Sequence, residues 1–382
     1  LRPLNDASCG TSPCKIASSV RLLNRRQRQT QWLPPTKQLR TRISFFRFYE
    51  YASRIRTHPS ECRCSSAGDL EDELNWQSYK AKFHKKHHSK DEARRKANFI
   101  KRQKQIEKHN KENKEWEMGN NLFSDMTDEE RKGMLGAKPV PRKERFLNPG
   151  YPIEERALPI SIDYRSDKCM QPVKQQAECG SCWSFAAVVP LEFNTCKKTG
   201  TPVALSEQML VDCDTYNNAC NGGDYTNAWK FIKEKGGIMT NSSYPYVSGT
   251  TLTRGTCKFS STSVATRVST YGWTMPYPNA TVSMQYLQSY GPLPSAMKVL
   301  DSLYQYKNGV YSDSACIIAD QNQVDHAVVI VGYGTTTTTP AIPYWIVRNS
   351  WGTTWGNLGY MAIKRGVNMC NIESWTAYVE VV

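Results

Sequence analysis

No window of the 382 residues holds the roughly 18 or more consecutive apolar side chains that a membrane-spanning helix needs. The first part also lacks the apolar core and small-residue cleavage site of a recognisable signal peptide. Histidine is scarce: there are six, and after His109 only His326 remains. A zinc site built on paired histidines is therefore excluded from the later part of the chain. Basic charge is missing where a folded nucleic-acid binder would need it. The formal charge is +15, yet residues 158–382 carry 16 Lys/Arg against 15 Asp/Glu. Residues 1–68 alone hold 13 basic and 3 acidic side chains. The near-neutral part shows no basic stripe with interleaved aromatics, which excludes a DNA- or RNA-binding reading.

Three regions separate by composition. Residues 1–68 are Arg-rich and acid-poor, with no period that can be followed. They read as an unassigned basic leader, either disordered or wrongly joined to the rest. Cys9, Cys14, Cys62 and Cys64 within it match no zinc spacing. Residues 69–157 differ. From Leu74 to Glu117 there is no Gly or Pro, which favours long helices, and Trp76, Tyr79, Phe83, Phe99 and Ile106 recur at helical intervals. Pro139, Pro141, Pro149, Gly150, Pro152 and Pro159 then mark an exposed linker that a protease can cut. From Leu158 to Val382 the pattern is α+β: a helix from about Ser181 to Lys197, then β-rich runs such as 327-AVVIVGYG and 344-YWIVRNSWG.

Cysteine is abundant. Of the 13, nine lie in residues 158–382: Cys169, Cys179, Cys182, Cys196, Cys213, Cys220, Cys257, Cys316 and Cys370. An odd count in a disulfide-forming compartment leaves one thiol over. The sequons at Asn241 and Asn279 fit the same oxidising, glycosylated context. The stretch 175-QQAECGSCWSFAA can be a redox dithiol, half of a zinc site, or one structural and one reactive thiol. Its companions favour the last. Cys182 stands at the start of the expected helix, where the dipole favours thiolate. His326 is the one imidazole base available to residues 158–382, and it follows Asp325 at the head of an apolar strand. Asn349 can orient that ring, with Trp351 and Trp355 shielding the bond. Gln176 can aim an amide N–H at a developing oxyanion, together with the Cys182 backbone N–H.

With C-G-S-C-W in place and His and Asn far downstream, residues 158–382 resemble the papain-like cysteine proteases, whose local signature this is. The segments 158-LPISIDYRS, 205-LSEQMLVDCD, 219-ACNGGD, 325-DHAVVIVGYG and 349-NSWGTTWGNLGY extend the resemblance over the whole region. It implies a two-lobed α+β fold, a helical left lobe beside a β-barrel-like right lobe, preceded by a helical prodomain. It implies Cys182 as nucleophile, His326 as general base and acid, Asn349 as its orienting partner and Gln176 in the oxyanion hole. No metal or cofactor follows from it. It further implies the disulfides Cys179–Cys220, Cys213–Cys257 and Cys316–Cys370. Cys169 and Cys196 depart from the usual pattern and, as the two left over, are expected to pair with each other.

The upstream region resembles the inhibitory propeptide of the cathepsin L group. Its helical motif appears as Asp91, Arg95, Phe99, Arg102, Ile106 and Asn110, with Asp for the usual Glu and Arg for the first Asn. Gly119, Asn121, Phe123 and Asp125 keep the element that follows. Such a propeptide covers the cleft in the direction opposite to substrate and loosens at acidic pH, with cleavage near Ala157–Leu158. The resemblance implies an endopeptidase made as a zymogen, lysosomal or secreted, monomeric, acting on proteins and peptides. Its other partners would be its own propeptide and inhibitors of the cystatin kind. A catalytically silent homologue that only binds is the alternative. Substrate would lie along Gly222 and Gly223, with Asp224, Tyr225, Ala327, Trp351 and Trp375 around it. A bulky Trp375 would shorten the main selectivity pocket toward Val or Pro, while Asp224 at its mouth would accept a basic group. Ala177, where the family usually has Gly, is a local oddity.

Overall fold

The computed structural model describes residues 67–113, 115–141, 144–145 and 157–382. The basic leader and its four cysteines therefore lie outside the described residues, apart from the first residues of helix α1. Two helices come first, α1 (Ala67–Phe83) and α2 (Ser89–Glu112). Their apolar positions meet as the long, Gly- and Pro-free stretch predicts: Trp76, Tyr79 and Phe99 form one buried cluster. The two helices are separated where no Gly or Pro marks a break. His84 takes a left-handed φ of 53°, and the Lys85 N–H turns back onto the Lys80 carbonyl. Arg102, the motif's departure from Asn, is buried and donates to the Ser124 carbonyl at 3.0 Å and to Asp128 at 3.1 Å.

The helix also ends earlier than composition suggests. Residues Trp116–Met118 form strand β1, because the Asn110 side chain brackets the Met118 backbone, accepting its N–H and donating to its C=O. A short helix α3 (Asp128–Gly133) follows, closed by a capping box between Thr127 and Glu130.

Beyond β2 (Ile162–Asp163), the long helix α4 (Cys182–Thr199) is apolar on nearly all sides and buried along most of its length. Helices α5 (Glu207–Cys213) and α6 (Tyr225–Lys235) and strand β3 (Ile238–Met239) complete a helical half. Lys174 joins α4 to α5 by ion pairs to Glu192 at 2.6 Å and Glu207 at 2.7 Å. Strands β4 (Val264–Thr266) and β5 (Val268–Trp273) lead to helix α7 (Ala280–Tyr290), which Asn279 caps by accepting from the Val282 N–H.

The second half is a sheet built from β6 (Leu293–Met297), β7 (Tyr306–Tyr311), β8 (His326–Thr335), β9 (Pro343–Arg348) and β10 (Tyr360–Lys364). The order is β1-β7-β10-β9-β8-β2, with β6 also on β8, and β11 (Ala377–Val381) pairs separately with β5. Strand β8 shows why its sequence is an unbroken apolar run. Ala327, Val329 and Val331 face the core around α4, whereas Val328 and Ile330 face the core of the sheet, and a register shift between Ile330 and Gly332 then brings Tyr333 to that second core. Period-two alternation with both faces buried leaves no polar positions. The described residues contain four disulfides, Cys169–Cys196, Cys179–Cys220, Cys213–Cys257 and Cys316–Cys370. No helix among them is long and apolar enough to cross a membrane.

Candidate active site

The junction of α4 with β8 brings together residues more than 140 positions apart. Cys182 opens α4 and, among the described residues, is the free cysteine. The Ala327 N–H donates to its Sγ at 3.4 Å, and the Gly136 and Trp183 amides also reach it. His326, the residue before Ala327, begins β8. Its Nε2 lies 2.8 Å from Asn349 Oδ1, just past the end of β9. That oxygen also accepts from the Ser350 N–H at 2.7 Å, so it serves as an acceptor and Nε2 carries the proton. Nδ1 then holds the lone pair of the neutral ring, and it is buried without a hydrogen-bond partner. The Trp351 ring packs 4.6 Å from the imidazole, with Trp355 edge-on behind it at 5.2 Å.

Gln176 is fixed on both sides. Its Oε1 accepts from Ser350 Oγ at 2.6 Å, and its Nε2 donates to the carbonyls of Cys179 at 2.9 Å and Met134 at 2.8 Å. Its backbone carbonyl accepts from the Tyr246 hydroxyl, which also contacts Ser181 Oγ. The adjacent Ala177 sits at φ 53°, the left-handed region that a glycine would take at no cost.

The chain from β1 through α3 and beyond lies over this site. Trp116 packs into the sheet half, Phe123 meets Trp351 edge-on at 5.1 Å, and Tyr304 stacks on Trp351 at 5.2 Å beneath the Arg131 guanidinium. The chain then passes Cys182. The Gly136 carbonyl accepts from Gly223 N–H at 2.8 Å, the Lys138 N–H donates to the Gly223 carbonyl at 2.9 Å, and the Ala137–Gly223 pairing is parallel. Passage this close requires glycine: a Cβ on Gly136 would stand 1.8 Å from the Gly180 carbonyl oxygen. Gly223 is equally confined, since a Cβ there would meet the Asn217 side-chain oxygen at 2.5 Å.

Covering the site changes its electrostatics. Burial pushes the Cys182 thiol up to about 11, even though three backbone amides favour the thiolate. Burial likewise drives His326 down to about 4 against the pull of Asn349. In the covered site, burial thus disfavours both the thiolate and the imidazolium.

The other residues singled out in the sequence fall as follows. Gly222 and Gly223 form the lip that pairs with Ala137. Tyr225, Ala327 and Trp375 are buried in the same cluster as Cys182, and the Tyr225 hydroxyl donates to the Trp375 carbonyl. Trp351 lies on the other side, in the sheet core. Asp224 does not open to solvent at a pocket mouth; its carboxylate is buried and caps α6 through the Thr226 and Asn227 amides. Sequence reasoning missed Gly136, Met134 and Arg145 on the covering segment, and Ser350 and Tyr246 around Gln176. The one available signal was a lone glycine in 134-MLGAKPV ahead of the proline-rich linker.

Comparisons with known proteins show the family. The model of the papain family cysteine protease matches residues 158–380, and that of the cathepsin propeptide inhibitor domain matches residues 76–131. Cathepsin K of Mus musculus is 35% identical over 315 residues, covering 80% of this chain and 92% of the relative. Cathepsin L2 of Homo sapiens is 36% identical, covering 81% and 92%. Among solved structures, digestive procathepsin L 3 of Tenebrio molitor larval midgut aligns with a TM-score of 0.72 at 29% identity, over 83% of this chain and all of that one. The chain belongs to the papain family of cysteine proteases and carries a cathepsin-type propeptide inhibitor domain ahead of the peptidase domain.

Proposed function

We propose that the protein is a cysteine endopeptidase made as a zymogen, in which Cys182, His326, Asn349 and Gln176 carry the reaction. The supporting observation is the His326–Asn349 bond, which leaves Nδ1 as the lone-pair nitrogen of the residue whose neighbour, Ala327, donates its N–H to the helix-terminal thiol. Once the covering segment leaves, water re-enters and the burial that disfavours both charges is relieved. The proton then moves from Sγ to Nδ1, giving a thiolate–imidazolium pair.

The thiolate attacks the scissile carbonyl, forming the S–C bond as the carbonyl π electrons move to oxygen. The Gln176 Nε2–H, released from Met134, and the Cys182 backbone N–H stabilise that oxyanion. Imidazolium gives its proton to the leaving amine as the C–N bond breaks, leaving a thioester. The imidazole next takes a proton from water, hydroxide attacks the thioester, and the sulfur leaves as thiolate. Asn349 holds the ring throughout but exchanges no proton.

Maturation removes the propeptide near Ala157–Leu158, and the setting is lysosomal or secreted. Substrate peptides lie along Gly222 and Gly223 as an added strand, antiparallel where the propeptide is parallel. Acid treatment of the purified full chain should yield a fragment starting near Leu158 that digests unfolded protein. The Cys182→Ala chain should do neither by itself. A wild-type fragment that cleaves nothing at any pH or with any reductant would support the silent-homologue reading instead.

A further inference from the structure

We infer that the enclosure formed by Trp273, Tyr277, Ser374 and Trp375 beside Asp224 is an arginine subsite, and that the activated protease selects peptides carrying arginine upstream of the bond it cuts. The inference rests on the protease reading above and names the substrate class of the same cleft.

The occupant is already in place. Arg145 of the covering segment is buried, with its guanidinium carbon 4.1 Å from the Trp375 ring centre, 4.2 Å from Tyr277 and 5.6 Å from Trp273. Its Nη1 donates to the Ser374 carbonyl at 2.9 Å. A guanidinium is flat and weakly hydrated, so it can stack on aromatic faces and lose water at lower cost than an ammonium. Asp224 is the acidic partner within electrostatic reach. Burial pushes its carboxyl up to about 6, and the Arg145 charge works in the opposite direction. A neutral side chain in the same place would leave Asp224 without that compensation.

Trp273 and Trp375 are held by contacts other than those with Arg145. Trp273 belongs to β5 and pairs with Ala377 of β11. The Trp375 indole N–H is held by the Gln321 carbonyl at 2.6 Å, and its backbone carbonyl by the Tyr225 hydroxyl. All of these residues remain with the peptidase domain after maturation.

The enclosure also lies on the appropriate side of the nucleophile. The covering segment passes Cys182 at Gly136, pairs with Gly223 at Ala137, and reaches the rings later, at Arg145. It thus leaves Cys182 along the edge proposed to hold the upstream residues of a substrate. Backbone pairing on Gly223 depends on chain direction, but a stacked cation does not, so a reversed propeptide and a forward substrate can fill the same enclosure. Trp375 therefore offers a face to a flat cation, in place of the shortened pocket for Val or Pro expected from the sequence.

The test uses the acid-activated wild-type enzyme, with active sites counted by titration with an epoxysuccinyl inhibitor. Fluorogenic peptides would share one neutral residue before the scissile bond and vary the second and third upstream residues among Arg, citrulline, Leu, Val, Pro and Phe. At one of these positions Arg should exceed its neutral isostere citrulline at least tenfold in kcat/KM. Tyr277→Leu, which removes one stacking face and keeps apolar bulk, should cut that ratio to about threefold or less. Equal turnover of Arg and citrulline, a preference for Val or Pro, or an unchanged ratio in Tyr277→Leu would overturn the arginine subsite while leaving the protease reading intact. Failure to cleave any peptide would overturn both.

Discussion

Replacing Gly136 with alanine in the full chain should open the covered site without touching any residue of the peptidase domain. The added Cβ would lie 1.8 Å from the Gly180 carbonyl oxygen and 2.5 Å from its carbon. Neither contact can be relieved by a side-chain rotation, because both neighbours are backbone. The segment must therefore lift by more than 1 Å. That movement breaks three hydrogen bonds, Gly223 to Gly136, Lys138 to Gly223 and Gln176 to Met134. At about 1 kcal/mol each, the seal weakens by roughly 3 kcal/mol, or about a hundredfold in the population of open site. The assay is the rate at which an epoxysuccinyl inhibitor labels Cys182 at neutral pH in chain shown by mass to be uncleaved. Gly136→Ala should label about a hundred times faster than wild type. Equal rates would refute the reasoning, because they would mean that the close passage of Gly136 is not what shuts the site.

Ala177→Gly should raise the thermal midpoint, since relief of the left-handed φ of 53° is worth about 1 kcal/mol; an unchanged or lower midpoint would contradict the strain. The activated enzyme should resist guanidinium better at pH 5 than at pH 7.5. Burial pushes Asp214 up to about 6, so the folded state binds its proton more tightly than the unfolded chain does. Stability from this group therefore falls as pH rises from about 4 through 6, and the opposite order of midpoints would rule this out. Removing the Cys169–Cys196 bridge with paired alanines opens a loop of 27 residues and should cost about 3.5 kcal/mol by loop entropy, read from denaturant midpoints. A loss below about 1 kcal/mol would show that this bridge contributes little beyond the packing of Phe193 around it.

The chemistry was more legible in the sequence than the way it is covered. Cys182, His326, Asn349 and Gln176, the residues proposed to carry the reaction, could be singled out because nucleophile, base, orienting amide and oxyanion donor would each demand a residue type, and His326 had no competitor after His109. Strand β8 was legible because a strand buried on both faces has to be an apolar run. The break at His84 was not, since it depends on a left-handed residue with no glycine to mark it. Strand β1 was missed because Trp116–Met118 is held extended in part through pairing with β7, almost two hundred residues away. Arg145 shows the same limit in sharper form. Nothing near it in the chain says that its guanidinium will lie among Trp273, Tyr277 and Trp375, and a linker arginine looks the same whether buried or solvated. Asp224 was placed at a pocket mouth by alignment alone, whereas its position at the start of α6 lets the carboxylate cap that helix instead.

The Cys182 thiol is expected to be silent when covered and reactive when exposed. The direct measurement is mass mapping of an epoxysuccinyl label on the full chain at neutral pH and on the acid-activated fragment. The account predicts no appreciable label on the full chain, a single label at Cys182 on the fragment, and none on either form of Cys182→Ala. A fragment that takes up no label, or a full chain labelled as fast as the fragment, would contradict it.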